Sequence, residues 1–446
     1  MMSEAIKKPR KPPESYNPKK PELANLMKNA EAENPELHKT NIEGITDTPT
    51  KNSLDINASY NYLETCNFIQ RFATAYIYLE AANNPKEIFY DPDVGGHCFG
   101  CGSGGEKHSC KKDKFAAKRC MFFFLFNTVC GNSSVRRRFN GEPTEMQKLI
   151  GDTPEEGHGC GSDFTVDFLF GYTGYDYRIC TDESAFKDEI VAAINAGKPV
   201  IARGKSGDAN FPILIPGKPG NPRFRLITGY DGDNLTIPHF VGYDFSTNPP
   251  TEKTEEPPTY DELEVLYIFG NKTARRYTLK NGLNNIRRVM EYNINAGLWD
   301  EYLVKLGGSD KFPSDDGLVK AGSNERIARA KHLYATNMYM YNFCSFGGAL
   351  DLNGKLPNHY LHRELFTPAL SKLWGTINNT HWAIVKAGHA TGKLGMKKIW
   401  LINDPAKIAE ISTEVCNAIA KAKAADVKLL KMIKQAIEVV DSTAIA

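Results

Sequence analysis

The sequence has no apolar run long enough to cross a membrane. Its most apolar stretch, Cys120 to Cys130, holds Phe122, Phe123, Phe124, Leu125 and Phe126 but also Asn127, and is about half the roughly 20 residues that a spanning helix requires. No membrane partner is expected. There is no phosphate loop: the Gly100 to Gly105 run lacks the Lys-Ser/Thr pair and the preceding strand that such a loop needs. A dinucleotide fingerprint and a pair of zinc-protease histidines are missing too, which argues against the common nucleotide-dependent and metalloprotease classes. Charge of one sign is not in excess, since 55 basic and 53 acidic residues leave a net +2. That balance gives no overall grip on nucleic acid, and none is expected as a partner. The basic residues Lys7, Lys8, Arg10 and Lys11 are followed by no apolar segment of secretory type, so the expected location is cytoplasmic, where disulfides are rare.

What is present is ordinary globular composition with an uneven cysteine distribution. Hydrophobic residues at 41% and charged residues at 24% suffice for cores of normal size, and 446 residues predict two or three domains. Of ten cysteines, eight fall between Cys66 and Cys180. Residues 1–56 are rich in Pro, Lys, Glu and Asn with few branched or aromatic side chains, and are read as a disordered arm. Cys180, Cys344 and Cys416 sit in apolar or helical contexts and are read as plain buried residues.

From Phe68 the residues Ile69, Phe72, Tyr76 and Leu79 recur at helical spacing, predicting a largely buried helix that opens near Cys66. Residues 84–163 lose this periodicity and gather Gly, Cys and charge. Phe186, Ile190 and Ile194 mark one face of a second helix, closed by Gly197 and followed by a strand from Pro199. Arg223 to Tyr230 and Leu235 to Tyr243 read as two strands joined at Asp231-Gly232-Asp233-Asn234, and Ser246 to Tyr260, with its four prolines, as an exposed loop. A further strand starts at Glu264. Helical segments are expected near 279–296, 323–342, 362–388 and 404–440, the last capped by Asp404 with Pro405 in its first turn.

Cys66 stands where the first buried helix begins, and the unpaired N–H groups of a helix N-terminus stabilise a thiolate. Position alone leaves two readings open, a buried apolar cysteine and a nucleophile. Glu64-Thr-Cys66-Asn-Phe, Asp167 to Arg178, Ala192 to Ala202 and Leu226-Ile-Thr-Gly-Tyr-Asp231 together resemble a papain-like family. The stretch is similar to the N-terminal domain of butirosin biosynthesis protein H and, more distantly, to bacteriocin-processing cysteine peptidases, over roughly residues 60–270. The resemblance implies a thiol-bearing central helix packed on an antiparallel sheet that brings the base. Members with activity carry histidine six residues before the Gly of Gly-Tyr-Asp. Here that position is Arg223, which stays protonated and cannot act as a base. His239 is the nearest histidine on an expected strand, with Asp244 or Asp231 as its orienting carboxylate. Upstream of Cys66, where the family assists the oxyanion, the chain offers Tyr60 and Asn61.

Within the insertion, Cys98-Phe-Gly-Cys101 has the spacing of two zinc ligands on one tight turn, and His108 or Cys110, Cys120 and Cys130 could complete a set of four. Cys98, Cys101, Cys110 and Cys120 are the chosen set, for a structural Zn²⁺. A redox pair and unligated cysteines are the other readings, and no cofactor is required for catalysis.

The expected fold is therefore α+β: a papain-like domain over 57–272 containing a cysteine-rich insertion at 84–163, then a separate all-α domain over 273–446. The expected activity is a cysteine hydrolase or acyltransferase acting on a peptide or acyl substrate through Cys66, His239 and Asp244, with Arg223 and Asn61 binding substrate. The alternatives are a catalytically inactive peptide- or acyl-binding protein and a zinc-stabilised interaction protein.

Overall fold

The computed structural model describes residues 50–56, 67–83, most of 122–151, 161–205, 224–238, 241–244, 251–254, 256–307, scattered positions of 361–384, and 405–443. The chain divides into two units, Met1–Lys51 and Asn52–Ala446; the first falls almost wholly outside the described residues. The strands are β1 (Lys51–Ser53), β2 (Tyr175–Cys180), β3 (Val200–Gly204), β4 (Phe224–Ile227), β5 (Gly229–Asp231), β6 (Asn234–Thr236), β7 (Val241–Asp244), β8 (Thr251–Thr254) and β9 (Leu263–Lys272). The helices are α1 (Asn67–Asn83), α2 (Glu145–Ile150), α3 (Asp163–Thr173), α4 (Phe186–Asn195), α5 (Leu279–Asn295), α6 (Leu298–Gly307) and α7 (Pro405–Thr443). The architecture is mixed helix and antiparallel sheet, closed by a long C-terminal helix.

The main sheet has the order β2-β9-β3-β4 with antiparallel neighbours throughout. Alternation along its strands feeds two apolar layers, because successive side chains leave opposite faces. Ile201, Leu226, Tyr267 and Phe269 point into the layer that contains α1. Val200, Ile227, Leu266 and Ile268 point into the layer that contains Phe186, Ile190 and Ile194 of α4. As expected, α4 ends ahead of Gly197, whose φ of 74° is left-handed, and β3 begins just after Pro199.

Helix α1 is the axis of the larger layer. Every residue from Phe68 to Ile77 is buried, polar ones included, so this helix has no solvent face over those turns. Phe72 meets Phe126, Phe170 and Phe269 at ring-centroid distances of 5.5, 5.0 and 5.5 Å. Tyr76 meets Phe122 at 5.3 Å and Tyr175 at 6.1 Å. The same core continues through Leu283, Met290, Trp299, Ile419, Leu429 and Ile433 of the C-terminal helices. The expected domain boundary at residue 272 thus falls between β9 and α5, within one shared core.

Several expectations need correcting. The strand expected from Arg223 to Tyr230 is broken at Thr228, where the chain leaves the main sheet for a small one of order β1-β5-β6. Gly229 allows that step, since a Cβ there would lie 2.7 Å from the Asn52 carbonyl oxygen of β1. The strand expected from Leu235 to Tyr243 is also two strands, β6 and β7, with Pro238 between them, because proline has no N–H to give a ladder. Ser246 to Tyr260 is not all loop: β8 lies in it and pairs with β7, flanked but not interrupted by Pro249-Pro250 and Pro257-Pro258. Gly297, at φ 64°, ends one helix and lets α6 start, an element not expected from the sequence.

The far half of the cysteine-rich stretch is built into the core. Phe122, Phe126 and Val129 lie at helical spacing and are buried, and Cys130 beside them is 1% exposed. Helix α2 has a capping box in which Thr144 and Gln147 exchange hydrogen bonds. The segments expected at 323–342 and over residues 84–121 lie outside the described residues.

Candidate functional site

The first turn of α1 and the first residue of β4 meet on one side chain. Phe68 packs edge-on against Phe224 at 5.4 Å and against Tyr267 at 5.3 Å. One turn further on, the Arg71 guanidinium, 1% exposed, donates from Nε to the Phe224 carbonyl oxygen at 3.2 Å. Gly161 closes the other side of the same ring, where a Cβ would come within 2.1 Å of Phe224 Cζ. Three distant stretches of chain, beginning at 67, 161 and 224, therefore converge on Phe224. Their neighbours in sequence are Cys66, Cys160 and Arg223, which lie outside the described residues.

Gln70 adds a feature of this turn. It is 5% exposed, and its Oε1 is buried with no hydrogen-bond partner among the described residues. An amide oxygen left this way costs about 1–3 kcal/mol of desolvation. Helical side chains tilt toward the N-terminus of their own helix, so Gln70 covers the turn that precedes it. Arg71 and Gln70 were not singled out from sequence; the available signal was two long polar residues inside an apolar helical run.

Of the other expected site residues, Asp244 ends β7, in register with Thr251 of β8. Among the described residues that ribbon has no ladder to the main sheet, so the structure does not join Asp244 to the strand next to α1. Asp231 ends β5 opposite Asn234 and is exposed. Asn61, Tyr60, His239, Cys98, Cys101, Cys110 and Cys120 lie outside the described residues. Among the described residues no group of three or more His, Cys, Asp or Glu side chains could hold a metal. Cys130, a possible ligand by its spacing, is buried beside Phe126 and Val129; Cys180 is likewise buried, as expected. Cys416 is partly buried, and burial raises its thiol pKa.

Two polar clusters lie away from Phe224. Asp426 of α7 and Arg136, 1% and 5% exposed, form an ion pair at 3.1 Å, and Trp299 Nε1 donates to Asp426 Oδ2 at 2.5 Å. Burial pushes the Asp426 carboxyl up, against the charge of Arg136 and the hydrogen bonds of Trp299 and Arg136. His381 is 2% exposed, and burial, with Arg136 adding to it, holds its imidazole well below 6.5. Nearer the surface, Asp167 accepts from Tyr277 Oη at 2.6 Å and from Arg276 Nη2 at 2.8 Å. Desolvation raises the Asp167 pKa, but those hydrogen bonds, the Arg276 charge and Tyr177 outweigh it and leave the pKa lowered.

Among the described residues no helix is long and apolar enough to cross a membrane. No protein-family model matches this chain, and no curated protein shows significant similarity to it.

Proposed function

We propose that the chain is a papain-like cysteine hydrolase or acyltransferase in which Cys66 attacks an amide or thioester. The observation that carries this reading is the junction at Phe224. Helix α1, buried on all sides from Phe68 to Ile77, starts at the residue after Cys66, and its first turns hold β4 through Phe68 and Arg71. A thiol at such a start gains from the helix dipole and from being fixed to a rigid core. Gln70 Oε1, which has no hydrogen-bond partner among the described residues, supplies a buried acceptor in the same turn.

In this reading the Cys66 sulfur forms a bond to the substrate carbonyl carbon and the carbonyl electrons move to oxygen. Collapse breaks the bond to the leaving amine or thiol, which takes the proton that the thiol gave to the base. Water or an amine then attacks the thioester, giving hydrolysis or acyl transfer and restoring the thiol. His239 is the proposed base and Asp244 its orienting carboxylate, with Asn61 and Arg223 on the substrate. No cofactor enters these steps.

A second reading has a specific observation behind it. Arg223 stands where a base is needed, and a permanent guanidinium suits holding a carboxylate without turnover. A thiol-reactive probe at neutral pH separates the two. The catalytic reading expects Cys66 to be labelled well ahead of the other cysteines, with labelling falling as pH drops through its pKa. Labelling of Cys66 no faster than Cys416 would overturn the catalytic reading.

A further inference from the structure

Strand β2 is the outermost strand of the main sheet and is hydrogen-bonded on one side, to β9. Among the described residues no strand lies along its other side. Between the buried ends Tyr175 and Cys180, residues 176, 178 and 179 are exposed and Tyr177 is half-buried. Ile179, at 43% exposure, is one of two large apolar side chains left in water among the described residues. An edge of this kind presents unsatisfied N–H and C=O groups to any extended partner.

The side chains select the partner. The sequence around Tyr177 is Asp176-Tyr177-Arg178, so a second copy running antiparallel and centred on Tyr177 sets Asp176 of each chain opposite Arg178 of the other. Opposite charges face each other twice and like charges never do. Both groups keep capacity for this contact. Arg178 gives Nη1 and Nη2 to the two oxygens of Glu189, and Asp176 Oδ1 accepts from Thr273; among the described residues Arg178 Nε–H and Asp176 Oδ2 have no further hydrogen bond. On the other face Ile179 falls diagonal to the partner's Tyr177, within reach of an aromatic ring.

We propose that two copies of this chain associate through β2, extending the four-stranded sheet across a two-fold axis into one continuous sheet. The paired segment is short, so the dimer is a reversible one that depends on concentration. The proposal is independent of any chemistry at Cys66.

Sedimentation velocity of the full chain over a range of concentrations tests it. Wild type should shift from monomer to dimer as concentration rises. Asp176→Lys sets an ammonium against Arg178 of the other copy, and Arg178→Glu sets a carboxylate against Asp176 of the other copy; each variant alone should weaken dimerisation roughly tenfold or more. Mixed together, the two variants bring the introduced lysine opposite the introduced glutamate and the retained Arg178 opposite the retained Asp176, and a heterodimer should form. Circular dichroism of each variant checks that the fold is kept. A wild type that stays monomeric throughout, variants that dimerise like wild type, or folded variants whose mixture stays monomeric would each overturn the proposal.

Discussion

Removing the Asp426 carboxylate should be among the most damaging single changes outside the aromatic core. Asp426→Ala takes a buried carboxylate away from the Arg136 guanidinium, itself 5% exposed, and leaves Trp299 Nε1 without its Asp426 acceptor. Loss of one member of a buried pair costs about 3–5 kcal/mol, and a buried donor left unmet about 1–3 kcal/mol. The two effects overlap, since backbone oxygens of Ser134 and Val135 still accept from Arg136 Nη1. A loss of about 4 kcal/mol is therefore expected, a large part of the roughly 5–15 kcal/mol that holds a domain folded. Urea unfolding followed by tryptophan fluorescence measures it. Arg136→Met combined with Asp426→Leu should recover more than half of the loss, because the buried charge is gone; adding Trp299→Phe should recover most of the rest. If Asp426→Ala costs less than about 1 kcal/mol, or the double variant is no better than the single one, Arg136 and Asp426 are not a buried ion pair.

Four further outcomes are expected. His381 is held neutral in the fold, with its pKa far below 6.5, so the stability it supports is present above pH 6.5 and lost as pH falls below it; urea midpoints at about pH 7.5 and pH 5.5 should converge in His381→Gln, and an unchanged gap counts against this. Gln70→Leu removes an amide with an unmet oxygen and should leave thermal stability equal or higher, while lowering turnover or ligand retention if that oxygen serves the site; a stability loss above about 1 kcal/mol would show an unseen partner. Gly161→Ala drives a methyl group into Phe224 and should cost about 1–3 kcal/mol, relieved by adding Phe224→Leu; failure of that rescue would contradict the contact. If Cys98, Cys101, Cys110 and Cys120 hold the structural zinc that their spacing allows, purified protein carries about one zinc per chain and loses stability under chelator, and metal-free protein of equal stability would end that reading.

The sequence made the periodic elements legible. Phe68, Phe72 and Tyr76 already spelled out a buried helix, and Phe186 to Val200 an αβ unit with its turn glycine, because local spacing and backbone sterics decide these. It was less informative where the chain changes sheets. Thr228 and Pro238 each sit inside a run with good strand propensity, and only pairing with distant strands shows that β4 and β5, or β6 and β7, belong to different ladders. The apolar run at 122–130 was visible as composition, but its place against Tyr76 and Phe72 was not. At the candidate site, Cys66 was legible as a helix-start thiol, whereas the contacts of Arg71 and Gly161 with Phe224 span 153 residues in the first case and leave no local mark.

The burial of α1 on every side has a kinetic consequence. Among the described residues, a helix formed from residues 67–83 finds aromatic partners on the 122–130 segment, on α3, on β4 and on β9, all of which follow it in the chain. The hydrogen bond from Arg71 to Phe224 closes 153 residues of chain, and that from Arg136 to Asp426 closes 290. During synthesis the row Phe68, Phe72 and Tyr76 therefore emerges ahead of Phe122 and Phe126 and long before its partners on β4 and β9, exposed or held in non-native contacts. Folding through such distant contacts is slow, and the nascent chain has its greatest exposure to aggregation and chaperones in the interval before β9 and α7 arrive.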